Sequence, residues 1–174
     1  MATTTTISQV GEFPLISSMV GDLTMGQAVT LGPGDDGAVF QVDGSAVVST
    51  DVLVEEVHFR RRWSTATDVG RKAVAVNVSD IEAMGAVPVA LVVGFSAPGD
   101  LPASWAREFM AGMTAESQKA GVSVVGGDTT GGPVVSIAVT VIGQTAGMAP
   151  VRRDGAVPGD EVAVIGQLGL AAAG

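Results

Sequence analysis

The chain has 174 residues, with 9 basic and 18 acidic side chains, a formal net charge of −9 and no cysteine. The lack of cysteine excludes disulfides, thiolate zinc sites and cysteine nucleophiles, and the negative charge argues against nucleic-acid binding. No apolar stretch is long enough to span a bilayer, and the N-terminus has no signal-peptide pattern. We therefore expect a soluble, cytoplasmic protein.

Composition divides the chain into three parts. Residues 1–11 are expected to be disordered, and residues 12–148 are expected to form a first domain that opens with a short helix. Residues 149–174 are interpreted as a linker and the truncated start of a second α/β domain, with a strand over Glu161–Gly166 and a helix from Leu168 to Ala173. Because one strand and one helical turn are not a domain, we expect the chain alone to be catalytically inactive.

A β-hairpin is predicted early in the first domain. Two apolar runs, Ala38–Val42 and Ser45–Thr50, flank the dipeptide Asp43-Gly44, which is a strong hairpin signal. In such a hairpin, Asp36 before the first strand and Asp51 after the second would lie at the same edge of the sheet.

The residues after this strand are candidate metal ligands. The apolar run Ala46–Val48 is predicted to be a buried strand that ends at Ser49, Thr50 and Asp51, whose oxygen atoms are of the kind that Mg²⁺ selects. An ordinary turn triplet is the alternative. The only histidine, His58, follows seven residues after Asp51. The basic and aromatic segment Arg60–Trp63 is expected at the surface.

The glycines of Gly32–Gly37 match the dinucleotide fingerprint G-x-G-x-x-G. We reject that interpretation, because the loop leads into strand-like residues rather than a helix. Its carboxylates, Asp35 and Asp36, would also repel a pyrophosphate unless a metal ion lay between them. A solvated glycine turn is the alternative.

Two helices are predicted next. The first begins at Thr67 or Asp68 and runs to about Met84, and Asn77 and Asp80 are expected on one face of it, with Asp80 a candidate ligand. The second helix covers Pro102–Ala120.

Three strands complete the first domain: Val87–Ala97, Val122–Val125 and Pro133–Thr145. The second of them leads into Gly126–Gly132, a glycine-rich loop around Asp128, where backbone amides could approach an anion while Asp128 holds a metal ion. Long apolar edge strands, among them Ala38–Val42 or Pro133–Thr145, would favour pairing between two copies.

The motifs, taken in order, resemble the thiamine-monophosphate kinases, which belong to the ATP-binding superfamily of aminoimidazole ribonucleotide synthetase. The resemblance runs from about Gly11 to the C-terminus. The motifs that carry it are Gly11-Glu12-Phe13, Gly34-Asp35-Asp36, Ser49-Thr50-Asp51, His58-Phe59, Asn77-Val78-Ser79-Asp80 with Ala83-Met84-Gly85, and Gly126-Gly127-Asp128-Thr129-Thr130.

The resemblance implies an α/β fold of the α+β type. Its mixed sheet has helices on one face and pairs into a barrel in a homodimer. It also implies several Mg²⁺ ions around ATP, held by Asp36, Ser49, Thr50, Asp51, Asp80 and Asp128. It further implies that Gly127, Asp128 and Arg153 bind the nucleotide and that His58 contacts thiamine monophosphate. The resemblance leaves open whether Asp35 binds metal or only orients its loop.

The implied reaction is direct in-line transfer of the γ-phosphoryl group of ATP to thiamine monophosphate. The acceptor phosphate, with a second pKa near ~6, is largely ionised at neutral pH and needs no general base. Mg²⁺ held by aspartates would reduce the repulsion between the two anions. The alternatives are another ATP-dependent member of the superfamily, such as an amidine-forming synthetase, and a non-catalytic nucleotide-binding or dimerisation module.

Overall fold

The structure is a computed structural model that describes residues 4–170. In these residues the helices are α1 (Ile7–Val10), α2 (Glu12–Val20), α3 (Ala66–Ala83) and α4 (Ala103–Ala120). The strands are β1 (Val29–Leu31), β2 (Val39–Phe40), β3 (Ala46–Val54), β4 (Val87–Ala97), β5 (Ser123–Gly131) and β6 (Ser136–Gln144). The long central helices and β4 agree with the sequence prediction to within about two residues at each end.

Residues 7–10 are helical, although disorder was expected up to about Gly11. The backbone N–H of Ile7 donates to the carbonyl of Leu101, and that of Ser8 donates to the carbonyl of Gly99, both at 2.9 Å. These long-range bonds tie α1 to the start of α4, a contact for which the local sequence carries no signal. Residues 1–3 lie outside the described part of the chain.

Four strands form the central sheet in the order β3-β6-β4-β5. β6 is antiparallel to β3 and to β4, while β4 and β5 are parallel and are connected by α4. This is the mixed sheet that the resemblance implied. β1 and β2 form a separate two-stranded sheet.

The predicted hairpin is wrong. β2 pairs with β1, and β3 pairs over its whole length with β6, so that Ala46 lies opposite Gln144 and Val54 opposite Ser136. The Asp43-Gly44 turn is present, with Gly44 at φ 76°. Asp43 nevertheless bonds to the far end of β6, because its carbonyl accepts from Ala146 and its N–H donates to the side chain of Gln144.

Two further expectations about the strands are corrected. β6 lies inside the sheet rather than at its edge, and the edges are β3 and β5. β3 is not a buried strand that ends at Ser49, because it continues to Val54 and most of its side chains are exposed. Val48 keeps 62% of its surface and Val52 keeps 41%.

Helices α3 and α4 cover one face of the central sheet, as predicted. The core between them contains Val69, Ile81, Phe95, Phe109 and Ile137, all nearly inaccessible to solvent. The other face is covered only in part, where Val89, Ala90 and Val125 contact residues of the β1–β2 region. The rest of that face, including Val48 and Val52, is open to solvent.

The C-terminal residues of the described chain extend away from this core. Residues 161–166 were predicted to be a strand, but they have no regular structure and are exposed. Half of the helix predicted over Leu168–Ala173, residues 171–173, lies outside the described part of the chain. Within residues 4–170 no helix combines the length and the apolar character that a membrane crossing requires.

Two glycines allow α3 and α4 to lie in close contact. A Cβ atom at Gly70 would collide with the backbone carbonyl of Phe109, and one at Gly112 would collide with that of Thr67. Both obstacles are main-chain atoms, which cannot rotate away as side chains can. The distance between the helices is therefore set by these two residues, and it fixes where α3 lies over the sheet.

We expect Gly70→Ala to destabilise the domain by about 3 kcal/mol, because the clash outweighs the gain in helix propensity. Gly131→Ala is the control, since a Cβ there would meet nothing within 4 Å; its effect should stay below about 0.5 kcal/mol. Denaturant unfolding of the two variants and the parent chain measures the difference. Equal stability of all three would contradict the helix-contact argument.

Candidate functional site

The Ser49–Asp51 triplet lies in the middle of edge strand β3, so its side chains alternate between the two faces of the sheet. Ser49 and Asp51 are on the helix-covered face, in the same alternation as buried Leu53. Thr50 is on the open face, where its hydroxyl donates to the carbonyl of Val139 at 3.0 Å and lies 3.0 Å from the hydroxyl of Thr140. The three side-chain oxygen ligands that were expected to lie side by side are therefore divided between the two faces of the sheet.

Asp80 reaches the same edge from α3. The hydroxyl of Ser49 donates to the Asp80 carboxylate at 2.9 Å. Asp80 is exposed, whereas Asn77, predicted to share its face, is fully buried. The amide nitrogen of Asn77 donates to the carbonyl of Ala73, while its oxygen has no partner among the described residues. Ser49, Asp51 and Asp80 together are called the β3-edge group below.

A cavity of about 510 Å³ lies at the opposite edge, along β5. Its apolar wall comes from α2, the residues just after α2, α4 and the sheet, and it includes Met19, Leu23, Phe95 and Met110. The polar part of its lining comprises the loop with Asp35 and Asp36 and the residues Gly126, Gly127 and Asp128 of β5. We call this the β5-edge cavity. The Asp35 carboxylate accepts the backbone N–H of Asp36 at 2.8 Å.

The segment after Val125 is a continuation of β5 and not the predicted loop. It pairs with β4, so that Gly127 lies opposite Val93 and Asp128 opposite Gly94. Gly127 is required by the sheet itself, because a Cβ there would collide with the carbonyl of Val93. Gly126 has open space around it and leaves room for a ligand to approach the backbone.

Asp51 and Asp128 lie on opposite edges of the sheet within one chain. Two strands separate β3 from β5, which corresponds to about 14 Å across three strand spacings. The side chains also belong to opposite faces, since Asp51 alternates with the helix-covered positions and Asp128 with the uncovered ones. Across residues 4–170, no three His, Cys, Asp or Glu side chains lie close enough to hold one metal ion.

Arg153 lies in the irregular segment after β6. Two residues before it, the N–H of Val151 donates to the carbonyl of Met84 at the end of α3, four residues after Asp80. Arg153 does not line the β5-edge cavity. Its neighbour Arg152 pairs with Asp154, and this hydrogen bond lowers the pKa of the Asp154 carboxyl.

His58 lies beyond the end of β3 and lines a second cavity of about 240 Å³ with Arg60, Trp63, Asp68 and Lys72. The surface position of the Arg60–Trp63 segment is as predicted: Trp63 is 70% exposed, and the guanidinium of Arg60 lies 4.2 Å from the centre of its ring.

Sequence reasoning missed the start of α3 beside this cavity. The first turn is closed by a capping box in which Thr65 and Asp68 bond to each other's backbone N–H groups. The T-x-x-D spacing is a variant of the usual capping-box pattern and was the available signal. The Thr65 hydroxyl also donates to the Asp68 carboxylate at 2.6 Å, and it is the main cause of the lowered pKa of Asp68.

Comparison with known proteins assigns the family. The model of the AIR synthase related protein N-terminal domain matches residues 34–145, which is more than half of the chain. The chain belongs to the AIR synthase related protein family. Both edges of the sheet that carry candidate ligands lie within the matched residues.

Its curated relatives include thiamine-monophosphate kinases. The chain is 49% identical over 170 residues to that of Mycobacterium tuberculosis, a match that covers 97% of this chain and 51% of that protein. It is 35% identical over 166 residues to that of Bacillus subtilis, covering 94% and 51%. The chain thus spans about half the length of these relatives.

Solved structures show the same likeness. Thiamine monophosphate kinase from Aquifex aeolicus gives a TM-score of 0.62 at 36% identity, over 64% of this chain and 37% of that one. The structure of AaThiL complexed with AMPPCP and TMP gives 0.55 at 28% identity, over 82% and 44%. The hydrogenase maturation protein HypE in complex with ATP gives 0.63 at 26% identity, over 80% and 43%.

The capping box of this family member should be sensitive to acid. The pKa of Asp68 is lower in the folded state than its ordinary value of 3.8. Its contribution to stability is therefore complete above that value and is lost as the pH falls through the folded pKa. Thr65→Val should lower the free energy of unfolding at neutral pH, and the difference from the parent chain should shrink in acid.

Urea unfolding at several pH values measures this difference. Thr67→Val serves as the matched control, because the Thr67 hydroxyl makes only a 3.4 Å bond to the carbonyl of Glu108. A difference between Thr65→Val and the parent chain that is independent of pH would contradict the role assigned to Asp68.

Proposed function

We propose that the chain is the metal- and nucleotide-binding half of a thiamine-monophosphate kinase, which transfers the γ-phosphoryl group of ATP to thiamine monophosphate. The 49% identity to a kinase of that name supports this assignment. The complex of AaThiL with AMPPCP and TMP supports both ligands. The observation that carries the proposal is the placement of carboxylates on the two edges of one sheet, where Asp36 and Asp128 line a cavity large enough for part of a nucleotide.

The donor set suits Mg²⁺. The β3-edge group offers the Asp51 and Asp80 carboxylates and the Ser49 hydroxyl, and the β5-edge cavity offers Asp36 and Asp128. All are hard oxygen donors. We keep Thr50 in this set only through its main chain, because its hydroxyl is already bonded to β6. When bound, Mg²⁺ would neutralise the phosphates and align them for in-line transfer.

We further propose that the complete site is shared between two copies. One chain holds its candidate ligands about 14 Å apart, too far for a common ion at carboxylate–metal distances of about 2.0–2.1 Å. A two-fold pairing that places β3 of one copy beside β5 of the other would bring the two sets together. The exposed valines of β3, Val48 and Val52, and its unpaired edge favour such a pairing.

Within this arrangement each residue has a distinct task. The apolar wall of the β5-edge cavity would take the base of the nucleotide, and Gly127 and Asp128 would lie beside its phosphates. Arg153 would approach the nucleotide from the β3 side. His58 would contact thiamine monophosphate, whose phosphate is already ionised at neutral pH and attacks directly. No general base is assigned, because this acceptor has no proton that must be removed.

Subunit mixing tests the shared site in the full-length enzyme. Asp51→Asn and Asp128→Asn should each abolish formation of thiamine diphosphate as separate dimers. When the two variants are mixed, half of the dimers are mixed, and each of these has one site with both substitutions and one intact site. We therefore expect about a quarter of the parent activity to return.

The matched control is a mixture of Asp36→Asn and Asp128→Asn. Both residues line the same cavity of the same chain, so every site in a mixed dimer keeps a defect and activity should stay absent. Recovery in this control as well, or no recovery in the first mixture, would refute the shared site. A parent enzyme that forms no thiamine diphosphate would refute the proposed function itself.

A further inference from the structure

The cavity beside His58 lies between the 57–60 turn and the first half of α3. The imidazole is held in one orientation, because the backbone N–H of Val54 donates to its Nδ1 at 3.0 Å. The N–H of His58 in turn donates to the carbonyl of Val54 at 2.8 Å. An Nδ1 that accepts a hydrogen bond carries no proton, so the neutral ring holds its proton on Nε2. Nε2–H is then the donor that remains for a ligand.

Lys72, which lies on α3, holds the backbone of the same 57–60 turn. Its ammonium donates to the backbone carbonyl of His58 at 2.6 Å. In the described part of the chain, no carboxylate lies within salt-bridge distance of Lys72, although acidic residues outnumber basic ones two to one. The chain has one other lysine, Lys119, and that one pairs with Glu116 on the surface. Lys72 instead bonds to a neutral backbone group beside a cavity.

The turn that Lys72 holds is under conformational strain. Glu56 has φ 66°, in the left-handed region that is uncommon for residues other than glycine. The N–H of Glu56 donates to the carbonyl of Phe59 at 2.8 Å, and the Phe59 ring is buried beside Trp105. A strained turn persists only when its surroundings hold it. Phe59 and Lys72 are two such restraints, one on each side of His58.

We propose that Lys72 is a positioning residue for substrate recognition, which fixes the main chain of His58 so that the Nε2–H of the imidazole is presented to an acceptor atom of the substrate. This inference rests on the proposed function, in which His58 contacts thiamine monophosphate. Lys72 acts through His58 and needs no contact with the substrate itself.

The first test uses the fact that His58 is the only histidine. Nitrogen-15 spectra of the histidine-labelled chain should show one imidazole with the proton on Nε2. Lys72→Met should move the two ring nitrogens towards an average of both tautomers, whereas Lys72→Arg and Lys119→Met should leave them unchanged. Unchanged ring nitrogens in a folded Lys72→Met chain would overturn the proposal, and thermal unfolding of the same samples shows whether the chain is folded.

The second test measures kinetics in the full-length enzyme. Lys72→Met should raise KM for thiamine monophosphate about tenfold, the size expected when a charged hydrogen bond is lost. KM for ATP should stay unchanged, and Lys72→Arg should restore recognition. In a His58→Ala background, Lys72→Met should add little, because its effect passes through His58. A full additional effect in that background, or equal effects on both substrates, would overturn the positioning role.

Failure of the positioning role of Lys72 can be distinguished from failure of the proposed function. In the full-length enzyme, His58→Ala should itself raise KM for thiamine monophosphate and leave KM for ATP unchanged. If it does not, the substrate assignment fails, while the spectra of the free Lys72 variants still decide whether Lys72 orients the imidazole.

Discussion

The pairing of β3 with β6 decides where the candidate ligands of β3 lie relative to those of β5. It makes β3 an edge strand, leaves Val48 and Val52 exposed, and separates Asp51 from Asp128 by the width of the sheet. Had β3 paired with β2, as the local turn signal suggested, Asp36 and Asp51 would share an edge. The non-local partner prevails because β3 and β6 pair over nine residues, which satisfies far more backbone groups than a two-residue strand can.

The close contact of α3 and α4 fixes where the helices lie relative to this sheet. Gly70 and Gly112 let the two backbones approach, and α3 therefore lies over β3 and β6 with its direction fixed. The second half of α3 brings Asp80 to Ser49, and the first half brings Lys72 to His58. Lys72 and Asp80 are eight residues apart along α3, which corresponds to about 12 Å of helix rise. A single helix thus connects the β3-edge group with the cavity beside His58.

Sequence periodicity was sufficient to predict the positions of α3, α4 and β4, because each of these elements is long and has a clear apolar pattern. It failed where a local signal competed with distant pairing: Asp43-Gly44 suggested a hairpin, and the glycines after Val125 suggested a loop although they continue β5. The candidate ligands were chosen by chemical type, but the sequence could not place Asp51 and Asp128 on opposite edges. Lys72 was missed, since nothing in a local pattern shows that a lysine bonds to a carbonyl 14 residues away.

Electrostatics explains why the division of the carboxylates suits the proposed dimer. Two carboxylates about 4 Å apart repel by about 4 kcal/mol at an effective dielectric constant of ~20, whereas at about 14 Å the repulsion falls to about 1 kcal/mol. That larger distance also exceeds the Debye length of about 8 Å at physiological salt, so the remaining repulsion is screened. Within a single chain, which already has a net charge of −9, the repulsion between the two sets of carboxylates is therefore small. When two copies bring the sets together, the repulsion returns unless cations lie between the carboxylates. Metal binding and completion of the site are then coupled, because each removes the obstacle to the other.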